Sequence, residues 1–142
     1  MGLDTTHGCW HGAYSAFSRW RTKLAEVAGY TIHKSDYGYL IADIDWGGIH
    51  RTIGVDLSGK WPAIPVRPDG TPDALMILIA HSDCDGEIEA KYCGPLADRL
   101  TELLPLLDGD GGGHVGDFRA KTQTFIDGLR LAAAANESVV FH

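Results

Sequence analysis

Two short stretches hold most of the side chains that could do chemistry. "LDTTHGCWHG", residues 3–12, carries Asp4, His7, Cys9, Trp10 and His11 within eight positions, and "HSDCDGEI", residues 81–88, carries His81, Asp83, Cys84 and Asp85. Imidazole, thiolate and carboxylate are the donors that transition metals select. The H-x-C-x-H order does not match zinc-finger spacing, which separates paired ligands by two or more residues. On an extended strand, however, positions 7, 9 and 11 project to one side. A divalent metal held by His7, Cys9 or His11 together with His81 or Asp83 is therefore one expectation. Bound there, it would activate water, with Asp83 or Asp85 as the base. A second reading gives Cys9 a catalytic role. It precedes a predicted helix N-terminus, where the dipole lowers a thiol pKa, and a His stands two residues away on either side. Against it, a lone Cys beside an aromatic commonly behaves as a small buried hydrophobe.

The second stretch also reads as a plain turn. Asp83 and Asp85 are turn formers whose carboxylates bond nearby backbone N–H groups, Gly86 accepts a positive φ, and Ile88 plugs the core. Its centre resembles the calcium loop of the EF-hand family. With Gly86 at the sixth position, His81, Asp83 and Asp85 fall at the first, third and fifth, and Ile88 at the eighth. The ends depart from that pattern, because the first Asp and the bidentate Glu are missing and position twelve is Tyr92. The resemblance implies an ion site that lacks its two strongest carboxylates.

Certain elements must position these side chains. Ala13, Phe17, Trp20, Leu24 and Val27 recur at spacings of four and three, which predicts an amphipathic helix over 13–28 that Gly29 ends. Arg19, Arg21 and Lys23 fall on its solvated side. Residues 38–56 read as a hairpin turning at "WGG". "ALMILIA", 74–80, is a continuous apolar run that predicts a central strand buried on both faces. Pro95 suits the first position of a helix whose stripe is Leu96, Leu100, Leu103 and Leu104. A last helix spans 118–135, and "ESVVFH" closes the chain as an edge strand. The expected architecture is α+β: one domain, 1–142, with a small, mainly antiparallel sheet covered by about three helices.

Composition narrows the function classes. With 12 Lys and Arg against 19 Asp and Glu, the net charge is −7, so the bulk field does not draw a phosphate backbone. Three cysteines, Cys9, Cys84 and Cys93, do not make a disulfide framework. No basic start leads into an apolar run, and no apolar run is long enough to cross a bilayer. The expectation is a cytoplasmic protein without nucleic-acid or membrane partners.

The phrases "GLDTTHGCWHGAYSAFSRWR", "HSDCDGEI" and "FIDGLRLAAAANESVVFH" together resemble small proteins of actinobacterial phages and prophages. The resemblance implies an accessory role in a host cytoplasm and implies no chemistry. The leading expectation is therefore a binding protein. Its small-molecule or ion pocket would lie between residues 4–14 and 81–89, with Asp4, His7, Cys9, His11, His81, Asp83 and Asp85 as polar groups and Trp10 and Tyr14 as apolar contacts. A metal-dependent hydrolase at the same place, and a protein-binding inhibitor of a host factor, are the alternatives.

Overall fold

The chain begins with a hairpin. In the computed structural model, which describes residues 2–29, 31–34, 40–43, 73–79, 81, 85–108 and 116–142, strand β1 (Gly2–Asp4) pairs antiparallel with β2 (His11–Ala13), Asp4 opposite His11. Thr5 extends the ladder by one step: its N–H donates to the Trp10 carbonyl at 3.1 Å, and its Oγ1 accepts from the Trp10 N–H at 2.9 Å. A tight 3-10 turn at Thr6–Gly8 forms the tip, with His7 at φ 61° and Gly8 at φ 68°. The extended run expected over residues 7–11 is thus replaced by a reversal. "HG" accepts two successive left-handed residues, one of them free of a Cβ.

Helix α1 (Tyr14–Val27) follows directly, as its stripe predicts, and buries Phe17, Trp20 and Leu24 completely. Arg21 departs from the solvated face. Its guanidinium lies 4.5 Å over Phe17, and Nη1 donates to the carbonyls of Leu78, Ile79 and His81. Strands β3 (Thr31–Lys34) and β4 (Leu40–Asp43) pair with each other. The predicted hairpin therefore takes its partner from upstream, and its return arm lies outside the described residues.

"ALMILIA" is not a strand. Residues Leu75–Ile79 form helix α2, and Ala74, Leu75, Ile77 and Leu78 are buried. Periodicity cannot separate a short, wholly buried helix from a buried strand. Here Asp73 decides, because its carboxylate accepts from the Leu75 N–H at 3.0 Å and starts the turn. Asp73 is 1% exposed and is held in turn by Arg99 Nε at 3.1 Å. Helix α3 (Ala90–Leu103) starts earlier than predicted, so Pro95 lies inside it and not at its first position. The proline withholds a hydrogen bond from the Lys91 carbonyl. Both residues are exposed, so water can serve that carbonyl. Cys93, Leu96, Ala97, Leu100 and Leu103 form the buried stripe. Helix α4 (Phe118–Ala135) has the predicted bounds. Asp117 caps its start, accepting from Arg119 N and Ala120 N, and Asn136 ends it at φ 54°.

The last strand corrects another expectation. β6 (Val139–Val140) pairs with β5 (Glu87–Ile88), and the Phe141 N–H donates to the Gly86 carbonyl at 2.9 Å. On its other side Phe141 bridges Thr5, while Asp4 and His142 exchange backbone bonds of 2.9 and 2.8 Å. A single bridge at Thr5 and Phe141 thus links the β1–β2 and β5–β6 pairs in the order β2–β1–β6–β5, and the end of "ESVVFH" has backbone partners on both sides. The α+β class holds, with antiparallel pairing throughout the described strands and four helices among the described residues. One apolar core joins the N-terminal hairpin, the four helices and β5–β6. No helix among the described residues is long and apolar enough to cross a membrane.

Candidate functional site

The hairpin places each N-terminal candidate differently. Asp4 and His11 are cross-strand partners, so their side chains meet on the exposed face, with Nδ1 3.4 Å from the carboxylate. His7, at the tip, points to the C-terminal segment: Nε2 donates to Glu137 at 3.0 Å. Its Nδ1 lies 3.0 Å from Thr6 Oγ1, which accepts from the Val140 N–H at 2.9 Å. Cys9 turns inward and is 1% exposed. Burial pushes its thiol up to about 12, with a smaller opposing effect from the Thr5 hydroxyl. The expected thiolate nucleophile is corrected on both counts: Cys9 stands in the hairpin tip and not at a helix start, and desolvation keeps its proton on. His7, Cys9 and His11 therefore diverge and do not share a face.

The second stretch lies across the sheet. His81 is buried, with its ring centroid 4.1 Å from that of Phe141 and Nε2 3.1 Å from the Glu87 carbonyl. Gly86 takes φ 86°, Ile88 is in the core, and Asp85 is exposed. Asp83 and Cys84 lie outside the described residues. Residues 139–142 pass between the two polar stretches, with Asp4 and Thr6 bonded to one side and Gly86–Ile88 paired on the other. The described residues of the two stretches thus lie on opposite sides of residues 139–142, and residues 82–84 of the expected shared pocket lie outside the described residues. Among the described residues no three His, Cys, Asp or Glu side chains gather closely enough to hold a metal ion.

A hollow does exist beside the first stretch, and its other wall is helix α4. It measures about 280 Å³ and is lined by Gly8, Cys9, Trp10 and His11 from the hairpin and by Asp117, Ala120, Lys121 and Thr124 from α4. The helix residues recur at three- and four-residue spacing and form one face. That face continues to Gly128, where the hairpin closes onto the helix. A Cβ on Gly128 would stand 2.4 Å from Cys9 Sγ, 2.9 Å from the His7 carbonyl oxygen and 3.0 Å from Cys9 Cα. The missing side chain is what lets the tip seat.

Trp10 forms part of the wall. It stacks on Trp20 at 5.2 Å and 29°, meets the Phe17 edge at 5.1 Å, and carries the Lys121 ammonium 4.7 Å from its ring centroid. Trp20 Nε1 donates to Thr122 at 2.9 Å, whereas the buried Trp10 indole N–H finds no acceptor among the described residues. Of the expected site residues, Cys9, Trp10 and His11 line the hollow. Asp4 reaches its rim only through His11, and His7, Tyr14, His81 and Asp85 do not line it. Sequence reasoning missed Lys121 and Thr124. Their only signal was the helical spacing from Asp117, which says nothing about which hairpin covers them.

No protein-family model, no curated protein and no solved structure matches the chain.

Proposed function

We propose that the protein is a binding module for a small molecule, which it takes into the hollow between the N-terminal hairpin and helix α4. One observation carries this reading: a concave site of about 280 Å³ joins an aromatic wall to a few polar side chains. Small-ligand sites have that composition, and this one lies just below their usual range of about 300–1,000 Å³. The ligand is correspondingly small. Trp10 supplies apolar contact, and His11, Lys121 and Thr124 orient the ligand. The context implied by the phage and prophage resemblance, an accessory protein acting by binding, agrees with a site that offers no activated nucleophile. A fragment screen by two-dimensional NMR tests the reading. Shifts of the Gly8–His11 and Ala120–Thr124 amides are expected, and Ala120→Trp, which fills the hollow, is expected to abolish them. Fragments that shift only amides elsewhere, or that bind the Ala120→Trp variant equally well, overturn it.

A further inference from the structure

Lys121 carries its ammonium over an aromatic ring, as Lys23 on α1 does over Phe118. Asp117 stands one turn earlier, at the spacing that normally gives an i,i+4 ion pair. Yet Oδ1 of Asp117 accepts from the Arg119 and Ala120 N–H groups at 2.7 and 3.2 Å, and the Lys121 ammonium lies over the Trp10 ring, 4.7 Å from its centroid. Among the described residues Lys121 forms no ion pair, whereas Lys91, Arg99 and Arg130 each meet a carboxylate. The cation is half-buried, and it faces a hollow on a chain whose net charge is −7.

We propose that the hollow selects a small oxyanion, a carboxylate or phosphate carried on a flat apolar body, with Lys121 as its counter-ion. The inference rests on the small-ligand reading above and names the ligand class. An entering oxyanion finds an ammonium that pairs with no carboxylate among the described residues, with Asp117 as the one acidic residue in the lining. Pairing with it exchanges a cation–π contact for a charge-assisted hydrogen bond, which is the stronger interaction. The same movement uncovers the part of the Trp10 ring that Lys121 covers, and the flat body of the ligand rests against it. Neutral isosteres keep the stacking and lose the ion pair.

The test uses benzoate and phenyl phosphate as probes, with benzamide as the neutral isostere, followed by NMR on the full chain. In the free protein the Lys121 Cε protons are shielded by the indole ring. Either anion is expected to release that shielding, to shift the Gly8–His11 amides, and to bind about tenfold more tightly than benzamide. The tighter of the two anions identifies the headgroup. Lys121→Gln is expected to bring all three ligands to one affinity, and Lys121→Arg to keep the preference for anions. Benzamide binding as well as both anions at this site, or Lys121→Gln retaining the preference, overturns the oxyanion selectivity and leaves the small-ligand reading standing. If none of the three probes shifts the amides of the hollow while other fragments do, the selectivity alone falls. If no fragment of any charge shifts them, both readings fall.

Discussion

One face of helix α4 meets the N-terminal hairpin in two different ways. At Gly128 the tip is pressed onto the helix backbone, with His7 and Cys9 occupying the volume a side chain would need. Over Ala120, Lys121 and Thr124 the same hairpin stands off and leaves a wedge open to solvent. The contrast comes from a single Cβ. Glycine brings the two backbones together at one end, and the side chains of ordinary residues hold them apart at the other. Closure supplies stability there, and separation leaves space that a ligand can use.

Filling the closed end is the most damaging change. Gly128→Val is expected to cost about 3 kcal/mol or more, because the clash involves backbone as well as the Cys9 sulfur. Gly128→Ala should cost less, since a gain in helix propensity of about 1 kcal/mol offsets part of the overlap. Denaturant midpoints measure both, and a Gly128→Val midpoint equal to wild type would show that the tip does not bear on the helix. The buried face of the same helix gives the next effect. Thr122→Val strands the Trp20 indole N–H, and the expected loss is about 1–3 kcal/mol.

The Cys9 thiol gives a smaller and pH-dependent effect. Its folded pKa lies above its unfolded one, so the unfolded state loses its proton first. The stabilising contribution is complete below the ordinary thiol range and falls away as pH rises toward 12. By pH 10 the loss is about 1.5–2 kcal/mol. Cys93, also pushed up by burial, adds in the same sense. Cys9→Ala should flatten the alkaline limb of a stability–pH curve, and an unchanged limb would place the sulfur in contact with water. The open end responds least. Lys121→Gln removes one cation–π contact of a half-buried lysine, so stability is expected to fall by about 1 kcal/mol or less while the preference for anions is lost. A large destabilisation would instead make Lys121 a structural residue.

Much of the helical frame was legible. Phe17, Trp20 and Leu24 mark α1, and the stripe from Thr122 to Ala132 marks α4, because long amphipathic periods survive tertiary context. Short segments did not. "ALMILIA" carries no period of its own, and the carboxylate of Asp73 just before it settles the matter locally. Pro95 looked like a helix start because proline is favoured there, yet an exposed Lys91 carbonyl makes an interior position tolerable. For the site, the richness of "THGCWHG" could be read from the sequence, but its geometry could not. A left-handed pair at His7 and Gly8 sends the three candidate ligands in three directions. The partner surface on α4 was invisible, since the fit of Cys9 to Gly128 depends on tertiary approach and on no local pattern.

The order β2–β1–β6–β5 puts the latest-made segment of the sheet between two earlier ones. A chain emerging from the ribosome can form its first hairpin and pack Trp10 on α1 early, but the backbone bonds of Asp4 to His142 wait until residues 139–142 are free. The central strand is threaded last, so assembly of the sheet is held back until translation has passed His142. Clipping those four residues would remove the seam that joins one half of the sheet to the other.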